Sequence, residues 1–357
     1  MKFKFLPVLF LSLTFSNTQA QILNENDLAA APVVNSIEDA MKDPLRVNRL
    51  DLTGNKLTTI PAEVYKLTNL QELVLNNNEL KTLPQEISGL KHLEILYLNG
   101  NIGFNLEQAF TVIAKISSLR ELWLRESQYT SIPENIDQLG VLKNLRLLHL
   151  GSNKLMSVPN NIGKLKTLYR LDIEMNNGFT KIPASIGELK ELKELDLEDN
   201  NLVEIPAELG KLKNLYDLDI QGNDIASLPE GLSKMKSLQH LNISGNPIKS
   251  LPTDFNQFPA MEILDMSAGL TITFNPETFE EVENRVVLQI DWAKTFTDLS
   301  QLKTLKELII DHSNFTELPK TVSKLKQIQR LELEDNKIDD SHRDDLKRWL
   351  PGVRIVY

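Results

Sequence analysis

Asp172, Asp196 and Asp219 recur at steps of about 23 residues, each between two leucine-like residues. Counting back by similar steps reaches His149, Trp123, Tyr97 and Val74. If residues one step apart are neighbours in space, two chemistries become available. Val74, Tyr97 and Trp123 form an apolar, aromatic run suited to packing on a ligand, and this run passes through His149 into a ladder of carboxylates. His149 beside Asp172 would be the base and orienting acid of a hydrolytic set. Such a pair needs a nucleophile, and the nearest hydroxyl, Ser152, is not well placed. His149, Asp172 and Asp196 are also of the types that ligate metal ions. Against catalysis, the chain has no GxSxG, no HExxH and no phosphate-cradling glycine loop. It has no cysteine, which removes thiolate nucleophiles and cysteine-type zinc sites. The expectation is a binding protein without catalytic residues, metal or cofactor.

The elements that would position these residues are written as repeats. LKELDLEDNNLVEIPAELGKLKN, from Leu192, is followed directly by LYDLDIQGNDIASLPEGLSKMKS. Leucine-like residues stand at offsets one, four and six, and asparagine at nine. The LxLxx segment has period two, so its leucines face one side and the residues between them face the other. One copy cannot bury its leucines alone, and copies must stack to share a core. Copies begin near Val47, Leu70, Leu93, Leu119, Leu145, Leu168, Leu192, Leu215, Leu238, Met261, Arg285, Leu305 and Ile328. The third has NIGFNLEQAFTVIAKISS in place of a proline turn, predicting a fuller helix with Ala109, Val112 and Ile116 inward. The copies at Met261 and Arg285 have Gly269 and Ala293 at the ninth offset and lack the proline, so the register is least defined over 268–304.

The pattern LxxLxLxxNxLxxIPxxIxxLxx resembles the leucine-rich-repeat family, in the form found in Ras-pathway scaffolds and plant disease-resistance proteins. The resemblance implies an α/β solenoid, a right-handed horseshoe with a parallel β-sheet on the concave face and short helical, 3-10 or extended turns on the convex face. Residues 1–20, with two early lysines, an apolar run and a terminal Ala20, have the layout of a secretory signal peptide. Residues 21–34 read as a linker, 35–46 as an N-terminal capping helix, 47–340 as about 13 repeats and 341–357 as a C-terminal cap. An exported chain without disulfides fits a bacterium, in the periplasm, at the cell surface or in the medium. No stretch after the leader is long enough to insert in a membrane.

Function then belongs on the outward offsets of the strands. The fifth offset runs Asp51, Val74, Tyr97, Trp123, His149, Asp172, Asp196, Asp219, Asn242, Asp265, Gln289, Ile309, Glu332. Ile95 and Leu147 at the third offset widen the aromatic run, and Arg125 and Arg170 border it. Glu174, Glu194, Glu198, Asp199 and Asp217 surround the carboxylate ladder. Unit charges ~5 Å apart repel by about 1 kcal/mol even in water, so the ladder suits a partner with a basic segment. The net charge of -10 and the lack of a basic stripe argue against nucleic acid. The expected ligand is a polypeptide on the concave face; the alternative is a glycan stacked on Tyr97 and Trp123.

Overall fold

The computed structural model describes residues 22–176, 178–274 and 281–357. The signal-peptide residues 1–20 lie outside them. Ten strands follow one another at repeat spacing: β1 Arg49–Asp51, β2 Glu72–Val74, β3 Ile95–Tyr97, β4 Glu121–Trp123, β5 Leu147–His149, β6 Arg170–Asp172, β7 Glu194–Asp196, β8 Asp217–Asp219, β9 His240–Asn242 and β10 Ile263–Asp265. After β11 Gly269–Phe274 and β12 Glu281–Val286 come β13 Glu307–Ile309, β14 Arg330–Glu332 and β15 Arg354–Val356. All but β11 and β12 form one open parallel sheet of 13 strands. The fold is the α/β solenoid expected from the repeats.

Its core is a stack of leucines. Leu50, Leu73, Leu96, Leu122, Leu148, Leu171, Leu195 and Leu218, all at the fourth offset, are buried under the sheet. On the far side of each coil, Pro61, Pro84, Pro133, Pro159, Pro183 and Pro206 open short 3-10 turns, as a residue with fixed φ and no N–H should. The third copy instead carries an α-helix, Leu106–Ile113, with Ala109, Val112 and Ile116 buried.

The strand exits explain the ninth-offset asparagine. The residue before it is left-handed in copy after copy, including Asn77, Glu126, Ser152, Met175 and Asp199 with φ between 50° and 56°. A non-glycine residue there costs on the order of 1 kcal/mol. The conformation turns the chain out of the sheet, and the asparagine amide then satisfies the stranded backbone. Asn176, fully buried, donates to the carbonyls of Leu150, Ile173 and Glu174 at 3.2, 3.0 and 3.0 Å. Its Oδ1 accepts the Leu155 N–H at 3.1 Å. Asn78, Asn101, Asn153, Asn200, Asn223 and Asn246 are buried in the same way.

Three expectations need correction. The copy assigned to Arg285 adds no strand to the main sheet: β10 pairs directly with β13, while β11 and β12 pair antiparallel as a hairpin. Gln289 therefore has no place in the outward column, and Ala293 does not stand at a strand exit of the main sheet. The thirteenth strand is β15 of the C-terminal cap, behind a helix at Asp340–Trp349. Second, residues 22–34, read as part of a linker, carry regular structure. Asn24 caps a helix at Glu25–Ala30, and Val34 bridges to Leu50 at the edge of β1. Third, the capping segment 35–46 forms only a four-residue helix, Ile37–Ala40, and a 3-10 turn, Pro44–Arg46. Pro44 limits the helix, since proline disfavours helical geometry at the residue before it, and Asp43 has φ -149° and ψ 74°.

Each asparagine amide holds two coils together, so its removal should be costly. Asn176→Ala leaves buried carbonyls and an N–H without partners, and is expected to destabilise by about 2–4 kcal/mol. Lys143→Ala, on an exposed side chain, should change stability by less than about 0.5 kcal/mol. Urea titration of both variants checks the difference.

Candidate functional site

Strand pairing puts identical offsets side by side. Val74 faces Tyr97, Tyr97 faces Trp123, Trp123 faces His149, and His149 faces Asp172. The rings form a continuous column. Tyr97 and Trp123 stack at 5.2 Å between centroids with 29° between planes, and Trp123 and His149 lie 4.7 Å apart at 40°. Ile95 and Leu147 flank the column at the third offset, partly exposed like Val74, Tyr97 and Trp123. The Trp123 Nε1–H donates to Glu121 at 3.2 Å, which fixes the indole's orientation.

Beyond Trp123 the face becomes ionic, and its outward residues there are not open to solvent. His149, Asp172 and Glu174 are 6%, 1% and 7% exposed. They point away from the leucines, but side chains reaching across from neighbouring repeats cover them. Glu174 lies back over Gly151, where any Cβ would collide with its carboxylate. His149 Nε2 and Glu174 Oε1 lie 2.8 Å apart, and His149 Nδ1 is 3.4 Å from Asp172. Arg125 pairs with Glu174 at 3.2 Å and donates to Ser152 Oγ at 3.1 Å. Arg170 grips both Asp172 oxygens at 2.9 and 2.8 Å and reaches Glu194 at 2.9 Å. Tyr216 donates its hydroxyl to Glu194.

The two arginines expected to border the aromatic strip are therefore internal parts of an ion network joining the strip to the acidic half. Asp172 is a partner of Arg170 rather than a free member of a repelling ladder. Ser152 faces Arg125 and Met175 instead of His149, so these two residues do not form a serine–histidine pair. Among the described residues no three His, Cys, Asp or Glu side chains converge as metal ligands. Among the described residues, Arg125 Nε, His149 Nδ1 and Glu174 Oε2 are buried without a hydrogen-bond partner in the protein, and buried polar groups left so are costly.

The remaining carboxylates have a local structural task that spacing alone did not reveal. Asp196 accepts the N–H of Glu198 at 3.0 Å, Asp219 that of Gln221 at 2.8 Å and Asp265 that of Ser267 at 2.9 Å. Each caps the amide two residues on, as aspartate does in turns. Among the described residues, Asp196, Glu198, Asp199 and Asp219 form no salt bridge with lysine or arginine. Burial pushes Asp172, Asp196, Glu198 and Asp199 above the usual carboxylate range. Asp219 is pushed up to about 7, by burial first and then by the charge of Asp196. Glu174 goes the other way: burial raises it, but the hydrogen bond and charge of His149, with Arg125, hold it below the usual range.

Sequence reasoning missed a second hollow. Where the β11–β12 hairpin leaves the sheet, Asp265, Asp311, His312, Gln221, Ser244 and Ser267 help line a polar cavity of ≈ 840 Å³. Arg285 anchors the hairpin by donating to the His312 carbonyl at 2.9 Å and to Asp335 at 2.7 Å. Gly269 lies against Gly245, where a Cβ would meet the Gly245 Cα at 2.6 Å. The signal was the lost asparagine at Gly269, without any cue to the chain's direction afterwards.

The raised carboxylates set a pH dependence. With its folded pKa near 7 and an ordinary unfolded value of 3.8, Asp219 holds its proton in the folded chain after the unfolded chain has lost it. Its contribution is therefore present in acid and is lost as pH rises through about 7. Asp219→Asn should raise Tm at about pH 8 by ~2 °C and do less at about pH 5. A thermal-melt series over that range checks it; an equal effect at both ends would contradict the burial argument.

The family model described as leucine-rich repeat region matches residues 45–157, 133–222 and 189–351. No curated protein sequence matches the chain. Among solved structures, a leucine-rich-repeat protein of Leptospira interrogans is 26% identical, with a TM-score of 0.50, over 92% of this chain and 100% of that one. The plant peptide hormone receptor RGFR1, solved in complex with RGF2, is 24% identical with a TM-score of 0.52 over 81% of this chain and 43% of the receptor. The functional domain of InlJ from Listeria monocytogenes is 20% identical with a TM-score of 0.58 over 86% and 62%. The chain thus spans the whole of the Leptospira protein but less than two thirds of the other two. The last two likenesses concern the fold alone. Repeat pattern, parallel sheet and family match agree, and the chain belongs to the leucine-rich-repeat family.

Proposed function

We propose that this chain is an exported interaction module that binds a polypeptide on its concave face, without catalysis. The observation that carries this is the ring column. A solvated sheet face should be polar, yet Val74, Ile95, Tyr97, Trp123 and Leu147 form a contiguous apolar strip on it. Tyrosine, tryptophan and arginine are the types enriched at binding hot spots. The acidic half beyond it, with Asp196, Glu198, Asp199, Asp217 and Asp219, favours a ligand that continues into a basic segment. The receptor likeness is consistent with this, since that protein is solved with a bound partner. Export rests on residues 1–20, whose two lysines and apolar run precede Ala20. Among the described residues no helix is long and apolar enough to cross a membrane.

Glycan recognition is the weaker alternative, for a geometric reason. Sugars stack on open ring faces, whereas Tyr97, Trp123 and His149 turn their faces to one another. What they present outward is edges, which suit aliphatic and aromatic side chains.

A random-peptide display library and a glycan array, both run on the immobilised chain, separate the two. Peptides with an apolar residue followed by basic ones should be enriched. Trp123→Ala should weaken their binding by about 2 kcal/mol or more with little change in Tm. Leu124→Ala, buried in the core, should destabilise by about 2–5 kcal/mol instead. Glycan binding without peptide enrichment, or undiminished peptide binding by Trp123→Ala, would overturn the reading.

A further inference from the structure

The first four repeats already hold a peptide on their concave face: the chain's own residues 23–31. Val34 pairs at the edge of β1, and the segment before it turns onto the outer surface of the sheet. The Gln71 side chain, fully buried, binds the Leu23 backbone at both ends, accepting its N–H at 2.8 Å and donating to its carbonyl at 2.7 Å. Arg49 donates to the carbonyls of Ala29 and Ala31, each at 3.2 Å. Arg49 is itself held by Glu72 through two bonds of 3.0 Å. Glu25 reaches Arg120 at 3.1 Å. Leu28 is 3% exposed, yet it is not part of the continuous leucine core; its cover is the outer face of the sheet near Ile95 and Tyr97.

These contacts have the composition of a receptor site. Gln71 and Arg49 read backbone groups, which any peptide offers. Arg120 reads one acidic side chain and the Ile95–Tyr97 surface reads one leucine. The occupant is weakly seated. A helix of six residues has little stability of its own. Its one apolar anchor is Leu28, and its Glu25 pair is exposed enough to add little. A cavity of ≈ 270 Å³ remains between segment and sheet, lined by Leu28, Ala29, Ile95, Tyr97, Arg120 and Glu121, and unfilled space forfeits contacts.

We propose that the concave face of the first four repeats is a binding site for a short helix with an acidic residue three positions before a leucine. Residues 22–31 are its resident, displaceable occupant. A ligand of that kind must open the segment first, so the segment reduces its apparent affinity by the fraction of time it is closed. The site shares Ile95 and Tyr97 with the apolar strip and otherwise rests on different residues.

The test uses a fluorescently labelled synthetic peptide of residues 22–33 as probe and full-length variants as targets, read by anisotropy. Leu28→Asp should release the resident segment and bind the peptide about tenfold or more tighter than the unmutated chain. Adding Ile95→Asp should abolish that binding. Hydrogen exchange should quicken at residues 22–31 in Leu28→Asp and stay unchanged in the strands. Equal binding by the unmutated chain and Leu28→Asp would overturn the proposal, as would binding by neither or binding that survives Ile95→Asp. A large fall in Tm for Leu28→Asp would also overturn it, because the segment would then be an integral cap. Trp123, unlike Ile95, is not in the lining of this site, so Trp123→Ala should leave binding of the 22–33 peptide to Leu28→Asp unchanged, and the two functional proposals fail separately.

Discussion

The amide of the buried asparagine at seven strand exits, Asn78 to Asn246, is the interaction on which the rest of the structure depends. A chain that leaves a parallel sheet through a left-handed residue strands its carbonyls in the interior, and a buried unpaired carbonyl is costly. Asn153 and Asn176 answer this with the same pattern, donating to their own coil and to the coil before. Because the bond crosses between copies, it fixes more than a turn. It fixes register, one coil against the next, so equal offsets must be neighbours. The copy starting at Leu119 has Ser127 there, whose hydroxyl accepts the Asn101 N–H and keeps the stack intact. At Gly269 no side chain is available, and that is where the chain departs as a hairpin.

Register then decides the chemistry of the concave face. Rings at one offset become a stacked column and carboxylates at the same offset become a row. The row is tolerated because Asp196 and Asp219 each cap a nearby amide, and because Arg125 and Arg170 neutralise the members closest to the rings. The cost is visible in the pKa of Asp219 and in the unpartnered atoms around His149. Charge and polarity left unpaired in this way cost stability, and the proposed ligand would relieve them.

Much of this was legible in the sequence, and the limits have physical causes. Leucine period, proline turns and the asparagine offset depend on backbone geometry repeated in every copy, so spacing alone exposes them. The ring column follows from the same spacing. The burial of Glu174 was not legible, because it requires a long side chain folding back over Gly151 from the next coil. Arg285 mimicked a repeat because Leu288 and Ile290 stand at leucine-like offsets, though strand direction is not written in hydrophobic pattern. The segment at Glu25–Ala30 is too short and too polar for a periodicity signal, and its docking partners Gln71, Arg49 and Arg120 lie at outward offsets that look merely soluble.

The central claim is that equal offsets stack, and it can be tested by cross-linking. The chain has no cysteine, so engineered pairs stand alone. Tyr97 and Trp123 are register partners, and neighbouring strands are ~4.8 Å apart, within the reach of a disulfide at about 4.4–6.8 Å between Cα atoms. Tyr97→Cys with Trp123→Cys should close under mild oxidant as an intramolecular bond. Tyr97→Cys with Arg125→Cys, displaced two residues along the strand, should remain reduced. Closure of the second pair in preference to the first would place the strands out of register, and the ring column with them.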